Sequence, residues 1–262
     1  MDLECRWEGF RFWRSPECAE SAARAPRPHL VSATAFRFSA AYQPSHKYAL
    51  LLQRLCEAVR SHLPAFTLRL YCDQSLDPRL LQEQCERGEL AGPGGGALPA
   101  EEAQRTVQGW QRCFDALAAS GCVEVVWWEH PAFAARSSSG GGGGGPAVPG
   151  GHDCLFGTLV RFLPLFASDL PRWCGAPPAG ATVFVSDIDF HDFTTDHVML
   201  HFVRWFSGAA AAAGGGVGGQ APELACVSYA GSSAPRHQPA CGMPPFIANC
   251  LATRALPGRL AD

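Results

Sequence analysis

The sequence predicts an α/β protein in which a central sheet carries helices on both faces. Short apolar runs rich in β-branched and aromatic residues alternate along the chain with longer segments whose apolar residues recur at helical spacing. This succession of strand, helix and strand is typical of βαβ units. The chain has 262 residues, of which 47% are hydrophobic, so it is long enough to bury a sizeable core.

The first half of the chain contains the clearest βαβ unit. Residues 1–28 mix Trp, Arg, Glu and Pro without clear periodicity, and we expect them to form an irregular lead-in. A first strand is predicted within 29–38, and apolar residues at helical spacing predict a helix over 47–63. Residues 66–73 then form a second strand that ends in a carboxylate, Asp73. The three elements together predict a right-handed crossover.

The rest of the chain continues this alternation. Two Gly-rich segments, 137–151 and 208–220, are predicted to be flexible insertions because they offer almost no side chain to bury. The other elements are predicted from apolar periodicity and from flanking Gly and Pro: helices at 78–88, 101–120, 154–166 and 195–206, strands at 123–128, 181–185 and 224–229, and an edge strand at 245–251.

Composition excludes several classes of protein. The formal net charge is −3, so we do not expect nucleic acid to be a partner. The N-terminus has no apolar signal region and no run of about 18 apolar residues occurs, which predicts a soluble, cytoplasmic chain without a membrane span. The 12 cysteines are scattered singly without a C-x-x-C pair, which favours reduced thiols over a disulfide scaffold and lacks the spacing of a zinc site.

Two carboxylates, Asp187 and Asp189, directly follow the apolar strand predicted at 181–185. Carboxylates are costly at the end of a buried strand unless a positive charge meets them. Residues at i and i+2 of a strand point to the same side, so both aspartates can reach one divalent cation. Asp73, at the end of another predicted strand, is expected to line the same crevice. The alternative is a turn followed by an N-cap for the helix that begins near Thr195.

Arg161 is the only charged residue in the apolar segment 156–166. An Arg in such a segment is rarely buried without an anionic partner, and the candidates are the two aspartates or a ligand phosphate. The alternative is a surface Arg whose apolar stem covers the segment while its guanidinium stays in water.

The segment 156–190, with Arg161 on an apolar helix followed by the Val-Phe-Val-Ser-Asp-Ile-Asp strand, resembles the Arg helix and Asp-x-Asp element of GT-A-fold glycosyltransferases, most closely the glycogenin-like class. The resemblance implies a GT-A-like Rossmann-type mixed sheet over residues 29–262. It also implies a metal-dependent transferase that moves a sugar from a nucleotide diphosphate donor, a UDP-sugar foremost, to a glycan, protein or small-molecule acceptor.

The same resemblance assigns roles to residues along the chain. The assigned residues would hold Mn²⁺ or Mg²⁺, contact the nucleotide, or act beside the sugar and the diphosphate. One candidate for the metal, His237, lacks the flanking motif that the family's metal-binding His usually has. The residues are Asp187, Asp189 and His237 for the metal, Phe38, Tyr42, Asp73 and Asp187 for the nucleotide, and Arg161 and Asn249 as catalytic residues.

Two other functions remain open from the sequence. A phosphatase of the haloacid dehalogenase type also places Asp-x-Asp after an apolar strand, and uses the first Asp as its nucleophile. That class expects Thr or Val two residues past the second Asp, where this chain has His191, and it carries the motif near its N-terminus. The second alternative is a module that binds a nucleotide sugar without turning it over.

Overall fold

A mixed eight-stranded sheet is the centre of the structure, a computed structural model that describes residues 3–15, 27–36, 46–90, 97–131, 155–177, 181–186, 188, 224–227 and 249–253. The strand order across the sheet is β1-β2-β5-β4-β3-β6-β8-β7. The strands are β1 Glu4–Trp7, β2 Phe10–Trp13, β3 His29–Ala35, β4 Phe66–Asp73, β5 Val123–Glu129, β6 Thr182–Val185, β7 Leu224–Val227 and β8 Asn249–Thr253.

The helices follow most of the predicted positions. The α-helices are α1 His46–His62, α2 Pro78–Glu86, α3 Ala100–Ala119 and the single turn α4 Leu163–Phe166. Asp77 caps α2 by accepting a hydrogen bond from the Arg79 N–H, and Pro78 occupies the first helical position. The helix predicted over 154–166 is instead a 3-10 helix, Leu155–Phe162, that continues into α4. The helix predicted at 195–206 and the Gly-rich segments 137–151 and 208–220 lie outside the described residues.

Four parallel strands form the middle of the sheet, in the order β5-β4-β3-β6. From β3 the chain adds β4 and then β5 on one side, and it returns to the other side of β3 with β6. Strand order therefore reverses between β3 and β6. In open α/β sheets such a reversal, at the carboxyl ends of the strands, is where ligands bind.

Both faces of the sheet are covered, and β4 shows how the sequence divides them. Leu68 and Leu70 belong to a core formed with α1, α2 and α3 on the first face. Tyr71 points to the second face, where it packs in a cluster with Val160 and Leu163 from the segment 155–177. This alternation is the period of two expected for a strand buried on both faces. The coarse prediction of a mixed α/β sheet with helices is confirmed.

The prediction that residues 1–28 form an irregular lead-in is wrong for residues 4–13, which form the hairpin β1–β2. The turn at Glu8 and Gly9 has positive φ at both residues, 47° and 83°, as a two-residue hairpin turn requires. The hairpin joins the sheet because β2 pairs antiparallel with β5, with Phe12 opposite Trp128. Burial of aromatic rings stabilises this pairing, since Phe12 and Trp128 are both fully buried.

The prediction of an edge strand within 245–251 is also wrong for the part that the structure describes. β8 begins at Asn249 and lies inside the sheet, between β6 and β7, and it is antiparallel to both. β7, Leu224–Val227, is the edge strand on this side, within the strand predicted at 224–229. This arrangement places the beginning of β8 next to the end of β6.

Candidate functional site

The candidate site is the notch, by which we mean the carboxyl ends of β3 and β6, where strand order reverses. Val185, the last residue of β6, is opposite Ser32, and the Ser186 N–H donates a hydrogen bond to the Ser32 carbonyl at 2.8 Å. β3 continues to Ala35, three residues past Ser32. At a rise of about 3.3 Å per residue, β3 extends about 10 Å beyond Ser32. In the described residues, β3 therefore extends further than β6 on this side of the sheet.

Arg161 lies against the end of β6. Its guanidinium Nη1 donates a hydrogen bond to the Ser186 carbonyl at 3.3 Å, and its own carbonyl accepts one from the Ser32 hydroxyl at 2.5 Å. The residue is only 4% exposed, so the alternative in which the guanidinium stays in water is wrong. The backbone carbonyl of Arg161 is therefore bonded to β3, and its guanidinium is bonded to Ser186, directly after β6.

The Asp-Ile-Asp segment begins at this point of the sheet. Ser186, the residue directly after β6, is fully buried, and Ile188 is buried in the core on the first face. Asp187 and Asp189 themselves lie outside the described residues, as do Phe38, Tyr42 and His237. The chain therefore enters the predicted metal-binding segment directly from the residue whose carbonyl binds Arg161.

Asp73 ends β4 at the same edge of the sheet, as predicted from the sequence. It is buried, and its Oδ1 accepts a hydrogen bond from the Ser75 N–H at 2.9 Å. This bond caps the short 3-10 turn Gln74–Leu76, a structural role that the sequence reasoning did not consider. Its contact with a nucleotide stays a prediction.

The pairing of β8 with β6 brings the backbone of Asn249 to the end of β6. Cys250 is opposite Val185 in the antiparallel pair β6–β8. Continuing that register by one residue brings Asn249 beside Ser186, whose carbonyl accepts the Arg161 hydrogen bond. Thus Arg161, the backbone of Asn249 and Ser186, the residue before Asp187, lie together at one strand end. The contact of Asn249 with a sugar stays a prediction.

A buried ionic brace supports this arrangement, and the sequence reasoning missed it. The Arg69 guanidinium binds Glu124 Oε2 at 2.9 Å and donates to the carbonyls of Gly175 and Arg172 at 2.5 and 2.7 Å. The Tyr71 hydroxyl donates to the Cys174 carbonyl at 2.8 Å. These bonds fasten the segment between Arg161 and β6 to the sheet. The sequence feature that indicates this brace is a single Arg in the apolar strand 66–73, just as Arg161 is the only charged residue in the apolar segment 156–166.

Electrostatics agree with the structural role of the brace. Burial is the largest influence on the Arg69 guanidinium and opposes its charge, but Glu124 and Tyr71 together outweigh burial and raise the pKa of the guanidinium. Burial likewise raises the pKa of Tyr71, so its phenol stays a hydrogen-bond donor. Arg69 therefore stays charged and Tyr71 stays neutral near neutral pH, as fixed members of this cross-link.

Among the described residues, no three His, Cys, Asp or Glu side chains are grouped so that they could hold a metal ion. The candidate ligands Asp187, Asp189 and His237 all lie outside that part of the chain. The two aspartates supply carboxylate oxygens, which are the donors that Mn²⁺ and Mg²⁺ prefer. The chemistry of the donor set therefore fits a hard divalent cation.

Comparison with known proteins identifies no relative: no family model matches the chain, and neither a curated protein nor a solved structure matches it. In the part of the chain that the structure describes, no helix has both the length and the apolar character needed to cross a membrane. Inference about function therefore depends on the notch and the residues that border it.

Proposed function

We propose that this chain is a metal-dependent glycosyltransferase that moves a sugar from a nucleotide diphosphate donor to an acceptor. The fold in this proposal is the GT-A-like sheet that the sequence resemblance implies. A single observation carries it: Arg161 is buried at the reversal of strand order and bonded to the residue immediately before Asp187.

The position of Arg161 favours an anionic site at the notch. A buried guanidinium is stable only where anionic or strongly polar groups face it. The residue after Ser186 in the sequence is Asp187, and Asp189 follows two residues later. A bound divalent cation would lower the cost of gathering carboxylates and phosphates at one strand end, because it would offset part of their mutual repulsion.

Each candidate residue has its own role in the proposed reaction. Asp187 and Asp189 would hold the cation, which when bound would supply positive charge against the leaving diphosphate. Arg161 needs little reorganisation during the reaction, because hydrogen bonds to Ser32 and Ser186 already hold it. Asn249 offers an amide donor and acceptor to a sugar hydroxyl. Phe38, Tyr42 and Asp73 complete the nucleotide site, and His237 is the proposed third ligand.

Calorimetric titration of the full chain with UDP, with and without Mn²⁺, tests the proposal. We expect UDP to bind only when Mn²⁺ is present. Asp189→Asn should weaken that binding by about tenfold or more, because an amide is a poorer ligand for a hard cation. Asp115→Asn is the matched control, since Asp115 is exposed on α3 and bonded only locally to Gln111.

Arg161 requires two variants because it is buried. Arg161→Lys keeps the charge and loses the planar fork, whereas Arg161→Met loses both. We expect UDP affinity to fall in the order wild type, Lys, Met, and thermal melts of each variant without ligand report whether the fold is retained. Equal affinities in all three folded proteins would contradict the role of the guanidinium.

The same preparation separates the two alternatives. Robust hydrolysis of an aryl phosphate that is lost in Asp187→Asn, without UDP binding, identifies the phosphatase and overturns the proposal. Mn²⁺-dependent UDP binding without release of UDP from any UDP-sugar identifies a binding module. Slow Mn²⁺-dependent release of UDP from one UDP-sugar supports the transferase, since water then replaces the missing acceptor.

A further inference from the structure

Two cysteine sulfur atoms far apart in the sequence lie close together in the fold. The Sγ atoms of Cys5 and Cys174 are 3.0 Å apart, and neither residue is in a disulfide. A disulfide bond is about 2.05 Å long, so a movement of about 1 Å would join them. Cys5 lies in β1, and Cys174 lies in the segment that covers the second face of the sheet.

Neighbouring contacts hold the hairpin and this segment together around the two sulfurs. The Trp7 indole N–H donates a hydrogen bond to Asp169 Oδ2 at 2.7 Å. The Arg14 guanidinium lies over the Trp173 ring, 5.0 Å from its centroid. These contacts hold the two sulfur atoms close together in the folded protein.

We propose that Cys5 and Cys174 form a reversible disulfide that links the N-terminal hairpin to the segment 167–177. The oxidant is a low-molecular-weight disulfide such as oxidised glutathione. One protein thiolate attacks a glutathione sulfur, the glutathione S–S bond breaks, and one glutathione thiolate leaves. The second protein thiolate then attacks the mixed disulfide and releases the other glutathione. Two protein thiols are oxidised and one glutathione disulfide is reduced to two thiols.

Accessibility and hydrogen bonding give the order of attack. Cys5 is partly exposed whereas Cys174 is buried, so Cys5 meets the oxidant first. The hydrogen bond from Cys174 lowers the pKa of Cys5, and the same bond raises the pKa of Cys174. Cys5 therefore carries the thiolate that attacks glutathione, and Cys174 resolves the mixed disulfide.

Cys56 and Cys122 provide an internal comparison. Their sulfurs are 3.9 Å apart and both residues are buried. A hydrated tripeptide disulfide cannot reach them without local unfolding, so proximity alone should not oxidise this pair. The proposal predicts that oxidation in the native protein selects the pair with an exposed member.

Peptide mapping of the full chain tests the proposal directly. Trypsin releases Cys5 in residues 1–6 and Cys174 in residues 173–204, and each peptide contains a single cysteine. After incubation of the native protein with oxidised glutathione and acid quenching, we expect these two peptides to be linked. The linkage should raise the melting temperature by about 10 °C, because it closes a very long loop, and dithiothreitol should reverse the rise.

Two variants make the result decisive. In Cys174→Ser, Cys5 should stop as the glutathione adduct and the oxidant should no longer raise the melting temperature. Cys85→Ser, which removes another partly exposed thiol, should form the linkage as the wild type does. The proposal is overturned if wild-type Cys5 accumulates only as the glutathione adduct. It is also overturned if the linkage forms only in denaturant.

Discussion

The Arg69–Glu124 brace allows a direct test of whether burial or distance decides the strength of an ion pair in this protein. Arg87 and Glu89 are 2.7 Å apart and Arg69 and Glu124 are 2.9 Å apart. Their side chains differ in exposure: 53% and 57% for the first pair, but 5% and 21% for the second. Geometry alone would predict similar contributions from the two pairs.

Removing the buried cation should cost far more than removing the exposed one. Arg69→Met leaves the Glu124 carboxylate without its cation and deprives the carbonyls of Gly175 and Arg172 of their donor. Breaking a buried pair in this way lowers the free energy of unfolding by about 3–5 kcal/mol. Arg87→Met should lower it far less, because solvent screens an exposed pair.

Urea denaturation of the two variants and the wild type measures the difference. In thermal melts, a loss of about 4 kcal/mol corresponds to a fall of about 8–16 °C for a chain of this size. The double variant Arg69→Met/Glu124→Leu should recover much of the loss, because it removes both buried charges. Equal losses in Arg69→Met and Arg87→Met would refute the reasoning. So would a double variant less stable than Arg69→Met.

Two further predictions concern the hairpin turn and the half-buried His29. Gly9→Ala should lower the free energy of unfolding in urea more than Gly88→Ala does. Both glycines have positive φ, so both substitutions strain the backbone. A Cβ at Gly9 would also lie 2.7 Å from His130 Nε2, whereas a Cβ at Gly88 would meet nothing within 4 Å. Burial lowers the pKa of His29 below its ordinary value of 6.5, and its Nδ1 accepts a hydrogen bond from the Thr182 N–H at 3.1 Å. The unfolded chain therefore binds the proton more readily, so stability is full above about pH 6.5 and declines as the pH falls below it. The difference in urea midpoint between about pH 7.5 and about pH 5.5 should be smaller in His29→Gln than in the wild type.

The long, strongly periodic elements were predictable because their signals are local. The strand 66–73 and the helix over 101–120 were predicted within a residue or two of β4 and α3. The hairpin β1–β2 was missed because each of its strands has four residues, too few for alternation to stand out. In retrospect Cys5, Trp7, Phe10 and Phe12 do alternate with polar residues around a Glu-Gly turn. Their burial, however, depends on β5, more than 100 residues later.

The site was predictable only in part, for a related reason. Arg161 and Asp73 stood out because each is a charge at or within an apolar run. No local pattern could show that Asn249 lies beside Ser186, since their proximity follows from the register of β6 against β8. Nor did the sequence show that Asp73 caps a turn, which depends on the backbone conformation of the residues that follow it.

Two arginines gave the same sequence signal, and the topology separates them. Arg69 and Arg161 are each the only cation in an apolar segment, and each is buried. Arg69 lies in the middle of β4 and binds a carboxylate and two carbonyls that fix a covering segment to the sheet. Arg161 lies instead at a strand end, where strand order reverses and the chain continues into two aspartates. Because ligands of open α/β sheets bind at that reversal, position in the sheet indicates a structural role for Arg69 and is consistent with the role proposed for Arg161.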